Sequence, residues 1–67
     1  MDINKLKTGT NILFLTSKNR KAIGKISSID NNGILMHKMF NLDDFSILKG
    51  RFGGLIISSA QVIKIID

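Results

Sequence analysis

The stretch Thr10-Asn11-Ile12-Leu13-Phe14-Leu15-Thr16, the polar turn Ser17-Lys18-Asn19-Arg20 and the run Lys21-Ala22-Ile23-Gly24-Lys25-Ile26-Ser27-Ser28-Ile29-Asp30 decide how this chain folds. Residues 11–15 are rich in strand formers and place apolar side chains at consecutive positions, which predicts a strand covered on both faces. The spacing over residues 21–30 is ambiguous by itself. Ile23, Ile26 and Ile29 recur every third residue, as on a helix, yet Gly24, Ser27, Ser28 and the β-branched isoleucines argue for a strand. A bend or bulge at Gly24 would gather the three isoleucines onto one core face.

Downstream of this hairpin, Asp30-Asn31-Asn32-Gly33 predicts a tight turn, because Asn and Gly tolerate positive φ and an Asp side chain bonds its own backbone. Ile34 to Phe40 follows as a third strand, with Ile34, Met36 and Phe40 on one side and Leu35, His37 and Met39 on the other. Residues 41–52 allow either a helical turn opened by Asp43 and Asp44 or a long hairpin with Phe45, Ile47 and Phe52 packed back. Leu55 to Ser59 and Val62 to Ile66 read as the closing strands, with a bend at Ala60 and Gln61. Upstream, Met1 to Lys7 suits one or two helical turns, capped by Asp2 and stopped at Gly9. The expected fold class is all-β: one domain over residues 1–67, a small five-stranded, strongly bent antiparallel barrel with a short N-terminal helix.

A chain of 67 residues buries only about 60% of its unfolded surface. Without Cys it has neither disulfides nor thiolate metal sites, so association is the remaining way to supplement the core. The 12 Ile are too many for so small an interior, and pairing open strand edges between copies would cover the surplus. A homo-oligomer is therefore expected. No apolar run spans a bilayer and no secretory pattern opens the chain, so the expectation is a soluble, cytoplasmic protein without a membrane partner.

The net charge of +5 is uneven. Residues 1–33 carry six Lys or Arg against Asp2 and Asp30, whereas residues 34–67 carry four against Asp43, Asp44 and Asp67. A one-signed segment of this kind attracts phosphates. Catalysis is disfavoured, since His37 is the only His, the five Asp are dispersed and no phosphate-binding Gly-rich motif occurs. No catalytic residue, metal or cofactor is expected. Lys18, Arg20 and Lys21 are candidate phosphate contacts, joined by Lys38 and Arg51, and His37 is a candidate base contact. Asp30, Asn31, Asn32, Ser58 and Ser59 have the donors and acceptors to read base edges, and also suit ordinary turn and strand-end chemistry. Phe40, Phe45 and Phe52 are candidate stacking platforms.

Residues 12–15, the run from Lys21 to Asp30 with its inner glycine and terminal aspartate, Gly33-Ile34-Leu35-Met36, and Leu55 to Ala60 with Val62 to Ile66 together resemble the Sm-like fold, within it most nearly the bacterial RNA chaperone family Hfq. The resemblance covers residues 10–66. It implies a hexameric or heptameric ring in which the fourth strand of one subunit pairs with the fifth of the next. It also implies binding of single-stranded RNA by pore-facing loops, which by position are Asp30, Asn31 and Asn32 with Ser58 and Ser59. Two departures stand out: Ile57-Ser58-Ser59 replaces the Tyr-Lys-His motif of Hfq, and Ser58-Ser59 replaces the Arg-Gly of Sm proteins. The functional expectation is a non-enzymatic RNA-binding module, the alternative being a protein-interaction or assembly module of the same barrel class.

Overall fold

The computed structural model of the chain describes residues 6–49 and 54–66. Its elements are β1 (Asn11–Leu15), β2 (Lys21–Asp30), β3 (Gly33–Asn41), β4 (Ile47–Leu48), β5 (Leu55–Ile57), a single 3-10 turn (Ser59–Gln61) and β6 (Val62–Ile65). The expected N-terminal helix falls mostly on residues 1–5, outside the described residues. Leu6, just inside them, is buried in the core.

These elements form one antiparallel sheet in the order β4-β3-β2-β1-β6, with β5 also on β3. Because β2 occupies one edge of β3, β4 and β5 share the other, β4 opposite Met39 and Phe40 and β5 opposite Ile34 to Met36. They act as two parts of one interrupted strand. The described part of residues 41–52 combines the two readings: Asn41 donates its N–H to the Ser46 carbonyl to close a hairpin, and Phe45 donates its N–H to the Asn41 carbonyl in a single helical-type turn, but Phe45 and Ile47 are exposed and not packed back.

The connection from β5 to β6 forces the sheet to curl. In a flat sheet these two strands would lie four strand spacings apart, about 19 Å. Five peptide steps from Ile57 to Val62 reach at most about 18 Å when extended, and a 3-10 turn rises only about 2 Å per residue. Gln61 secures the connection, its Nε2 donating to the Leu15 carbonyl at 2.8 Å and its Oε1 accepting from the Ser58 N–H at 3.0 Å. Among the described residues no ladder joins β5 to β6, so the sheet is curled and open.

The concave side holds the core, built chiefly from Ile12, Phe14, Ala22, Ile26, Ile34, Met36 and Met39, with Ile57 and Val62 from the later strands. Both faces of β1 are covered, as its consecutive apolar residues predict, since Leu13 on the opposite face is buried as well. Two expectations about the faces need correction. On β2 the core residues are Ala22, Gly24 and Ile26 at ordinary two-residue spacing, while Ile23 is half-buried and Ile29 exposed. Gly24 is there because a Cβ would lie 2.7 Å from Met39 Cγ and 3.1 Å from Met36 Cε. The three-residue isoleucine spacing is therefore not the core face.

On β3 the expected faces exchange halfway. Ile23 pairs with Phe40 but Lys25 pairs with His37, so Lys38 and Met39 both stand opposite Gly24 as a bulge. The extra residue moves Met39 and Asn41 into the core and turns Phe40 outward, since a one-residue slip reverses every later side chain. A compensating bulge at Ser27 restores the register before the turn.

Lys38 carries the backbone cost of this bulge, at φ 51°, a left-handed conformation that glycine adopts freely. That conformation costs an L-residue roughly 1–2 kcal/mol. Lys38→Gly is expected to stabilise the fold by about 0.5–1 kcal/mol after the greater entropy loss of glycine is subtracted. A urea midpoint below that of the parent would refute this.

Candidate functional site

At the far end of β2, the β2–β3 turn and the start of the 3-10 turn come together. Asp30 caps its own turn, its carboxylate accepting the Asn32 N–H at 2.7 Å. Gly33 follows at φ 131°, where a Cβ would stand 2.6 Å from the Ile57 carbonyl oxygen. That close approach carries β5, and with it Ser58 and Ser59, up against the turn. Asp30, Asn31, Asn32, Ser58 and Ser59 consequently line one cleft of about 290 Å³, closed by Ile29, Gly33 and Ile34. Five polar residues from segments 26 or more positions apart thus share a single concave surface, and all five are exposed.

The basic residues are arranged differently. Lys18 and Arg20 belong to the β1–β2 turn, at the opposite end of β2, where they line a second cleft of about 290 Å³ with Lys49. Lys21 and Lys25 project from the outer face of β2, on either side of Ile23. His37 lies beside Lys25 on that face, its ring against Gly54, where a Cβ would come within 2.9 Å of Cδ2. Lys38 is exposed at the bulge. Arg51 and Phe52 lie outside the described residues. The polar group therefore converges and the cationic group does not: it divides between the second cleft, the outer face and the bulge.

Arg20 is largely neutralised. Its Nη2 contacts Asp43 at 2.7 Å and Asp44 at 3.2 Å, tying the β1–β2 turn to the β3–β4 turn. Asp43 chiefly, then Asp44, raises the guanidinium pKa above its ordinary value. The Asp44 carboxylate also accepts the Ser46 hydroxyl at 2.7 Å and the Ser46 N–H at 2.9 Å. The bonds from Ser46, aided by Arg20, lower the Asp44 pKa to about 2. A carboxylate titrating at 3.8 when unconstrained and near 2 when folded contributes stability that is complete above about pH 4 and disappears as the pH falls toward 2. Asp44→Asn is accordingly expected to flatten the fall in melting temperature between pH 4 and pH 2. Parallel melting profiles for parent and variant across that interval would contradict the linkage.

Two residues of the second cleft escape a reading by sequence. Asn41 is 5% exposed, its Nδ2 donating to Ser46 Oγ at 2.8 Å while its Oδ1 is buried without a partner. It reaches the interior only because of the bulge at Lys38, which leaves no trace in residue type. Lys49 is one lysine among several, and its place beside Lys18 depends on how β4 lies on β3. Phe40 and Phe45 do meet on the outer face, ring centroids 6.2 Å apart, and Phe45 is 71% exposed.

Comparison with protein-family models, curated proteins and solved structures finds no match for this chain.

Proposed function

We propose that the chain is a non-enzymatic, single-stranded RNA-binding module of the Sm-like, Hfq-like kind, acting in the cytoplasm as a hexameric or heptameric ring. The observation that carries this reading is the cleft shared by Asp30, Asn31, Asn32, Ser58 and Ser59, the same two segments that the resemblance assigns to the pore. Carboxylate, carboxamide and hydroxyl groups there offer both donors and acceptors to base edges. Lys18, Lys21, Lys38 and Arg51 supply a salt-dependent attraction to phosphates, and His37 an additional polar contact. Arg20 contributes less than its charge suggests, being engaged by Asp43 and Asp44.

Ring formation fits the open edges. Strands β5 and β6 end the curled sheet, with Ile56 at 59% and Ile63 at 40% exposure. Pairing β5 of one copy with β6 of the next would cover both and complete a five-lane barrel wall around each core. A weak site repeated around a ring gains affinity by multivalency, without strong individual contacts.

The reading is tested by titrating the full chain with single-stranded RNA at two salt concentrations, alongside native mass measurement. Submillimolar binding that weakens with salt, by a hexamer or heptamer, is expected. Binding no better than millimolar at low salt would sink the RNA reading, and a clean monomer would remove the ring. Lys38→Gly should weaken RNA binding while raising stability, a separation that a purely structural lysine would not produce.

An assembly module is the second reading, favoured by Phe45 and Ile47, which are 71% and 76% exposed on the β3–β4 hairpin. Loss of RNA binding with an intact oligomer would favour it.

A further inference from the structure

We propose that Asn32 and Gly33 form a self-modifying site, at which the chain's own backbone and water convert the Asn32 carboxamide into isoaspartate or aspartate and loosen β5 from the β2–β3 turn. The conversion does not depend on the RNA reading. Only its effect on RNA binding rests on that reading.

The chemistry needs a backbone nitrogen that can reach the preceding side chain. Gly33 N attacks Asn32 Cγ and closes a five-membered imide, while the Cγ–Nδ2 bond breaks and ammonia leaves with the proton given up by Gly33 N. Water then opens the ring. Cleavage at Cγ yields aspartate, and cleavage at the backbone carbonyl yields isoaspartate, whose main chain runs through Cβ and Cγ and is one carbon longer. A side chain on the attacking residue hinders the first step, and Asn32 alone of the six Asn precedes a glycine. Asn32 is exposed, and among the described residues its carboxamide has no hydrogen-bond partner, so Cγ is open to attack. The turn is closed by the 2.7 Å bond from the Asn32 N–H to the Asp30 carboxylate and by the pairing of Asp30 with Gly33, the last of the ladder. An exposed ladder end opens at little cost. Asn41, by contrast, is buried and followed by Leu42.

The fold has no room for the longer chain. Gly33 lies so close to β5 that a Cβ would stand 2.6 Å from the Ile57 carbonyl oxygen and 3.0 Å from Ile56 Cγ2. One carbon inserted just before Gly33 displaces it, either against these atoms or out of the ladder. Both displacements weaken the pairing of Ile56 and Ile57 with Leu35 and Ile34. Each product also replaces a group that donates and accepts by an anion that only accepts, beside Asp30. Two adjacent negative charges repel a phosphate chain.

The test incubates the full chain for days at mildly alkaline pH, beside a free peptide of residues 26–38, the tryptic fragment holding Asn31 and Asn32. Fragmentation mass spectrometry locates the converted residue, and reversed-phase separation distinguishes isoaspartate from aspartate. The expected result is conversion at Asn32 and not at Asn31, mainly to isoaspartate, at a rate within about tenfold of the free peptide's. Asp30→Ala, which removes the turn cap, should raise the rate in the folded chain about threefold. Asn32→Gln, whose longer side chain closes its ring far more slowly, should stay unconverted. In the isolated isoaspartate form, amide protons of β5 should exchange at least about tenfold faster than in the unmodified chain, with β1 still protected. That form should also bind single-stranded RNA about tenfold more weakly. RNA binding absent from both forms would remove the RNA reading and leave the modification standing. Protection of Asn32 by more than about a hundredfold relative to the peptide would overturn the proposal. So would equal conversion at Asn31, or unchanged β5 exchange in the isoaspartate form.

Discussion

Gly33→Ala is expected to lower the unfolding free energy by about 2–6 kcal/mol, from about 1–3 of backbone strain and about 1–3 of overpacking. A domain of 67 residues has only about 3–10 kcal/mol in total, so the variant should be partly or wholly unfolded at room temperature. Both terms come from the same atom. At φ 131° an L-residue is strained, and the added Cβ would stand 2.6 Å from the Ile57 carbonyl, a backbone atom with little freedom to yield. Relief requires β5 to move off β3, which would also separate Ser58 and Ser59 from Asp30, Asn31 and Asn32. Urea denaturation followed by circular dichroism reads the stability, and a midpoint equal to that of the parent would mean that the turn and β5 are not in this contact.

Phe14→Ala is expected to cost about 3–5 kcal/mol, the range for removing a buried aromatic ring and leaving a cavity. Phe14 is 0% exposed on β1, between Ala22 on β2 and Val62 on β6. Its ring fills space to which both ends of the chain contribute, so the loss weakens the closure of β6 onto β1 as well as the first hairpin. Phe14→Leu retains most of the volume and should cost less than about 1.5 kcal/mol. An alanine variant as stable as the leucine variant would show that the interior collapses around the site and that Phe14 is not its centre.

Much of the fold was legible in residue types. The consecutive apolar residues of β1, the turn residues at 17–20 and 30–33, and the bend at Gln61 all act locally, through covering of a strand or tolerance of positive φ. Of the core face of β2 only Ile26 was legible, and that of β3 was legible only as far as Met36. A bulge changes the phase of everything after it, and the one at Lys38 occupies a lysine where glycine would have announced it. Its consequences, Met39 inside, Phe40 outside and Asn41 buried, follow from the pairing of β3 with Gly24 and not from any property of residues 38–41 themselves.

The candidate sites divide along the same line. That Asp30, Asn31, Asn32, Ser58 and Ser59 carry base-reading groups is a matter of composition, whereas their meeting in one cleft depends on Gly33 admitting the Ile57 carbonyl. Lys18, Arg20 and Lys21 are equally cationic on paper. Only the fold divides them, engaging Arg20 with Asp43 and Asp44, leaving Lys18 beside Lys49 and turning Lys21 to the outer face. The sequence by itself determined where the backbone turns and which residues are apolar, because those are short-range properties. Register, burial and the pairing of charges were decided by the tertiary structure, because each depends on which distant backbone lies alongside.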